Sequence, residues 1–133
     1  MKKVFAGLDK VLPLLPVMIE NDGGAIVVTG ITNAGKTELA RQVGARLGLP
    51  VLCVGEHGSD ELNSATFPAF AEAARIGGVV ATCHALPGDA ERRIREYGGD
   101  EAAGLLRVAL HVVRHGEAFT IEQVTFSPVM RLS

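Results

Sequence analysis

The chain has 133 residues, a net charge of −2, 47% hydrophobic residues and a mean hydropathy of +0.26. That length suits one compact domain burying about 65–70% of its unfolded surface, and the even mixing of acids and bases excludes the basic face that a nucleic-acid binder needs. Sixteen glycines and only 5% aromatic residues favour an α/β domain with many tight strand–helix junctions over a β-sandwich.

Residues 1–22 read as a helical lead-in, with one or two short apolar turns over 4–20 interrupted at Pro13 and Pro16. The apolar run over 11–19 is too short and too broken to span a bilayer. No secretion signal is evident, and a cytoplasmic location is expected. Asn21-Asp22-Gly23-Gly24 is a turn signal that delivers the chain into an apolar, β-branched run, Ala25-Ile26-Val27-Val28-Thr29.

Gly30-Ile31-Thr32-Asn33-Ala34-Gly35-Lys36-Thr37 then fits G-x-x-x-x-G-K-[ST], and Leu39, Val43 and Leu47 follow at helical spacing. Gly30 and Gly35 let the backbone wrap a phosphate with its N–H groups inward, and Thr32, Asn33 and Ala34 complete the cradle. Lys36 adds a point charge for the β/γ-phosphates, while the Thr37 hydroxyl suits a Mg²⁺ ligand. The new helix aims its positive end at the same anion. An eight-residue match alone can be a plain glycine turn; the strand before it and the helix after it make this a phosphate-binding loop.

That helix is expected over 36–47, stopping at Gly48 with Pro50 beyond. Val51-Leu52-Cys53-Val54 has no polar alternation and suits a parallel strand buried on both faces. A polar loop leaves it over 55–61. A second helix is expected over 64–76, with Pro68 in its first turn and Gly77-Gly78 at its end. Val79-Val80-Ala81-Thr82-Cys83 reads as the next strand, with His84 at its carboxyl end. Cys53 and Cys83 lie within apolar strands, as buried thiols rather than a disulfide. Asp89 is placed to cap a helix carrying Ala90, Ile94 and Tyr97, stopped by Gly98-Gly99. A short helical stretch after Asp100 leads to strands over 108–114 and 118–126, joined at His115-Gly116-Glu117.

The whole is an α/β fold: a single P-loop NTPase-like domain whose mostly parallel sheet is flanked by helices and finished by an antiparallel C-terminal hairpin. Ligands of such sheets sit at the carboxyl ends of the strands, where the glycine loop, Glu56 and His84 fall. Glu56 follows an apolar strand expected one strand over from the loop, where a nucleotide hydrolase places the carboxylate that orients water; its plain reading is a solvated loop acid. Asp60 and Glu61 are weaker candidates. His84 can sense a γ-phosphate, although a lone histidine is more often structural, and His57, His111 and His115 are read as structural. A zinc set of Cys53, His57, Cys83 and His84 is disfavoured, because neighbouring strand residues point to opposite faces. ATP with Mg²⁺ is the implied cofactor. Arg92, Arg93 and Arg95 form a basic cluster, either a solvated face or charge for a phosphate.

These residues resemble the carboxyl-terminal motor domain of the type II/type IV secretion and type IV pilus ATPases. GITNAGKT keeps both glycines, Thr32, Lys36 and Thr37 of that family's loop. VLCVGEHGSDE supplies Gly55 and Glu56, with Glu61 five positions on; VVATCHA supplies Thr82, His84 and Ala85 of its histidine motif; and ALHVVRHGEAFTIEQV looks like its closing hairpin. The resemblance covers most of 23–126. It implies Lys36 and Thr37 on phosphates and Mg²⁺, Glu56 as the hydrolytic carboxylate, and His84 near the γ-phosphate. Several strands and an acidic motif that the family carries between its first two motifs are missing, as are its amino-terminal domain and the arginine after G-E, where Gly58 stands. Slow hydrolysis is the expectation, with self-association supplying charge from a neighbour. GKTELARQVGARLGLPV also looks like small-molecule kinases of the shikimate and gluconate type, with RRIREYG standing for their arginine-bearing lid. A third reading is a non-catalytic nucleotide-binding module that modulates a secretion or pilus motor.

Overall fold

Strand β2 (Ala25–Gly30) is buried along its whole length, and its alternating side chains serve two layers. Ile26 and Val28 pack on one face of the sheet, Ala25 and Val27 on the other. This is why the run lacks polar alternation: a parallel strand covered by helices on both faces has no wet side. The computed structural model describes residues 4–19, 23–31, 34–52 and 61–126.

The six-stranded sheet has the order β1 (Phe5–Ala6), β6 (Ala118–Phe126), β5 (Leu106–His115), β2, β4 (Val79–His84), β3 (Val51–Leu52). All neighbours are parallel except β5 and β6, the antiparallel hairpin. Helices α1 (Leu8–Val11), α2 (Leu15–Ile19) and α3 (Lys36–Leu47) cover one face through Val11, Leu15, Ile19, Leu39 and Val43. Helices α4 (Phe67–Ile76) and α5 (Ala90–Ala103) cover the other through Phe70, Ala74, Ala90 and Ile94. The strand residues on that second face include Ala25, Ala81 and Ala109, and their small size lets α4 and α5 settle close.

Helix α3 has the bounds its sequence predicts. Gly48 ends it in the left-handed conformation (φ 70°) and donates its N–H to Gly44 O. Gly44 itself faces Val51, so closely that a Cβ there would collide with the valine Cγ2. The missing side chain is what brings α3 against β3.

Three expectations need correction. The lead-in is not wholly helical: Phe5–Ala6 pairs with Phe119–Thr120, so β1 rather than the hairpin forms the sheet's edge. Its helical part is divided as the prolines predict, with α1 ending at Val11, a 3₁₀ turn over Leu12–Leu14 and α2 from Leu15, so that Pro13 and Pro16 each stand second in a short helix. Asp89 occupies the N-cap of α5 but makes no capping bond; its carboxylate pairs with Arg92 at 3.3 Å. Finally, the strand leading to Glu56 is not next to the glycine loop, because β4 lies between β2 and β3. The break expected at Gly98-Gly99 does occur, with Gly99 at φ 83° inside α5.

Candidate functional site

The parallel register brings two histidines to the carboxyl end of β2. Gly30 lies opposite His84 of β4, and Thr29 lies opposite His111 of β5. His84 is exposed. His111 is buried, with its Nδ1 hydrogen-bonded to Thr29 Oγ1 at 2.8 Å. Burial is the main force holding the His111 imidazolium below its ordinary pKa; Lys36 pushes the same way and Glu122 opposes. The structural reading of His111 therefore stands, as the satisfied partner of the residue before the loop.

From Gly30 the chain turns back on itself. Ala34 N donates to Ile31 O at 3.2 Å, and Gly35 adopts φ 93° before α3 begins. A Cβ on Gly35 would stand 2.8 Å from the Phe119 ring and 3.1 Å from that of Phe5. Conformation and space thus both require glycine here. The two rings, 5.5 Å apart at their centroids, brace the loop from β1 and β6, and the Arg114 guanidinium lies over Phe119 at 5.5 Å. Thr37 is half-buried in the first turn of α3.

Lys36 does not extend into solvent. Its Nζ donates to Ile31 O at 2.8 Å and meets Glu61 Oε1 at 3.1 Å, with the two side chains only 5% and 6% exposed. Glu61 reaches this point because a compact turn fixes its backbone. Asn63 Nδ2 and Thr66 Oγ1 both donate to Glu61 O, at 2.9 and 3.2 Å, and Asn63 Oδ1 accepts from Ala65 N and Thr66 N. Leu62 N donates to Thr82 O at 2.9 Å, which ties the turn to β4. The second carboxylate oxygen, Oε2, is buried with no hydrogen-bond partner among the described residues. An unsatisfied buried acceptor costs about 1–3 kcal/mol, more when charged.

Glu61 is the site residue that sequence reasoning undervalued. Its signal was present in Asn63 followed by Thr66, a pair that builds a side chain-to-backbone turn and folds the preceding residue back. Thr32, Asn33, Cys53, Glu56, His57 and Asp60 lie outside the described residues. Of the remaining site candidates, Gly30, Ala34, Gly35, Lys36, Thr37 and His84 gather at one end of β2 and β4. Each α5 arginine of the basic cluster has a partner on its own helix. Arg92 pairs with Asp89 and Glu96, Arg95 with Glu91 and Asp100, and Arg93 hydrogen-bonds Tyr97, which is the chief cause of its raised pKa.

The chain's own groups fit a nucleotide carrying a divalent cation. Gly30 and Gly35 form a cradle with no room for side chains, Lys36 and the α3 N-terminus offer positive charge, and the orphaned Glu61 Oε2 is an oxygen of the kind a hard cation takes. Such a cation, when bound, neutralises charge on the phosphate oxygens. No helix among the described residues is long and apolar enough to cross a membrane. Comparisons with protein-family models, with curated proteins and with solved structures find no match for this chain.

Proposed function

We propose that the chain is a P-loop protein that binds Mg-ATP at residues 30–37 and hydrolyses it slowly, as a minimal ATPase of the secretion and pilus kind acting in the cytoplasm. The observation that carries the reading is Lys36, a cation held inside the loop by Ile31 O and Glu61 at the N-terminus of α3. Nothing in a plain glycine turn calls for a buried lysine there, since desolvating an ammonium is costly. A phosphate-binding loop does call for one.

Slow turnover follows from the arginines. A supplied arginine is typically worth ~10³–10⁵ in rate, and the arginine that the family carries after G-E is absent here, where Gly58 stands; Arg92 and Arg93 could offset this only if their helix reached the γ-phosphate or a partner's. The same helix argues against the kinase reading. Its RRIREYG segment anchors Ile94, fully buried, in the core beneath β4 and β5, and so is not built as a hinged lid. Self-association, or a motor subunit as partner, would supply the missing charge.

Phosphate release from ATP, followed with dilute protein and with concentrated protein, tests the proposal. Wild type should turn over slowly, faster when concentrated, and both Lys36→Ala and Glu56→Gln should abolish release, the latter with ATP binding retained. Brisk turnover by a dilute monomer, or turnover untouched by Glu56→Gln, would contradict it.

A further inference from the structure

Part of the loop's support comes from outside its own strand–helix unit. β5 meets Thr29 through His111 and then runs on to His115, so the β5–β6 hairpin extends past the end of β2. Its second strand brings Phe119 against the loop, and β1 adds Phe5 beside it. Both rings lie within reach of a Cβ at Gly35, and Ala34 belongs to the same core cluster as Phe5, which is only 4% exposed. Gly35 in turn sets the start of α3. It holds φ 93°, a conformation that favours glycine, and its carbonyl accepts the first hydrogen bond of the helix, from Leu39 N at 3.0 Å. The direction of the N–H groups that open α3 therefore depends on how Gly35 is held.

The two rings are unequally anchored. Phe119 belongs to a nine-residue strand paired along its length with β5, and the Arg114 guanidinium lies over its ring. Phe5 belongs to a strand of two residues that pairs only with Phe119 and Thr120, and Gly7 turns the chain away at φ 95°. So short a parallel pairing returns little for the backbone it orders. The buried Phe5 ring is the larger anchor, and its seat includes Gly35 and the Phe119 ring. Docking of β1 depends on how the loop sits, and the seat of the loop depends on β1.

We propose that Phe5 is a positioning residue for the phosphate loop: β1, docked through this ring, holds Gly35 and the N-terminus of α3 in the arrangement that receives phosphate. This rests on the phosphate-loop reading above. The ring brings no polar group to the ligand and acts through Gly35. Coupling of this kind is reciprocal: the factor by which docked β1 strengthens nucleotide binding is the factor by which bound nucleotide strengthens docking of β1. A ring that merely filled the core would stabilise the fold without that exchange. A partner that draws β1 away from β6 would thereby loosen the grip of the loop on its nucleotide.

Hydrogen exchange at β1, with and without a saturating non-hydrolysable ATP analogue and Mg²⁺, tests the inference in the unaltered chain. Over times short of global unfolding, exchange at Phe5–Ala6 should slow by about tenfold, within the range usual for coupled sites. Exchange in α5, which covers the opposite face of the sheet, should stay as it was. Titration of a ribose-labelled fluorescent ATP analogue with Mg²⁺ reads the same coupling from the other side: Phe5→Ala should bind it about tenfold more weakly than wild type. Exchange at β1 that nucleotide leaves unchanged, or slows only as much as in α5, overturns the inference whether or not the variant folds. A folded Phe5→Ala with wild-type affinity also overturns it, and either result leaves the phosphate-loop reading intact. Absence of any nucleotide binding by wild type sinks the loop reading and this inference together.

Discussion

Lys36 Nζ lies 3.1 Å from Glu61 Oε1, and this contact joins the first turn of α3 to the turn ahead of α4 across an interior that excludes water from both charges. A buried ion pair adds little net stability, since desolvation offsets the attraction; breaking it by removing one partner is what costs. Lys36→Ala should therefore destabilise the fold by about 3–5 kcal/mol in urea denaturation, whereas Lys36→Met combined with Glu61→Leu should fall within about 1 kcal/mol of wild type or above it. Equal losses for the single and the double variant would show that the two side chains do not act as a pair.

The burial of His111 beside Thr29 gives the fold a pH dependence of definite sign. Burial holds His111 below its ordinary value of 6.5 in the folded chain, so the unfolded chain takes up a proton first as pH falls. The stability owed to neutral His111 is present in full above about pH 6.5 and drains away as pH drops from there toward the folded value. Urea midpoints at pH 7.5 and 5.5 should separate more for wild type than for His111→Gln. The same separation in both proteins would remove His111 as the cause.

Gly44 sets two effects against each other. Alanine is worth about 1 kcal/mol more than glycine inside a helix, yet its Cβ would drive into Val51, and overpacking typically costs about 1–3 kcal/mol. The clash should win, so Gly44→Ala lowers the urea midpoint, and adding Val51→Ala restores it. A Gly44→Ala variant more stable than wild type would mean that α3 can slide away from β3 freely.

The parts of this fold that show in the sequence are those fixed by neighbours along the chain. Gly35 and Gly48 bracket α3 because each end needs a left-handed residue, and Gly116 between two apolar runs marks the β5–β6 hairpin. Phe5–Ala6 carries no such mark. Two residues become a strand only because Phe119 and Thr120 lie alongside, and that pairing spans nearly the whole chain. The order of β2, β4 and β3 is equally silent, since apolar runs do not encode which lies beside which. Within the site, the glycine spacing reveals the loop and the lysine. The partner of that lysine is a matter of tertiary distance. Glu61 reaches it from a turn that the sequence marks only through Asn63 and Thr66, while Glu56 lies outside the described residues.

Binding of Mg-ATP through Lys36 is the claim on which the functional reading stands, and a titration of labelled Mg-ATP into wild type and folded Lys36→Ala tests it most directly. Saturable binding by wild type is expected, at least about tenfold weaker in the variant, because a charge-assisted hydrogen bond to an ionised group is worth about 1.5–3 kcal/mol. Equal affinity in the two proteins, or no saturable binding by wild type, would contradict it.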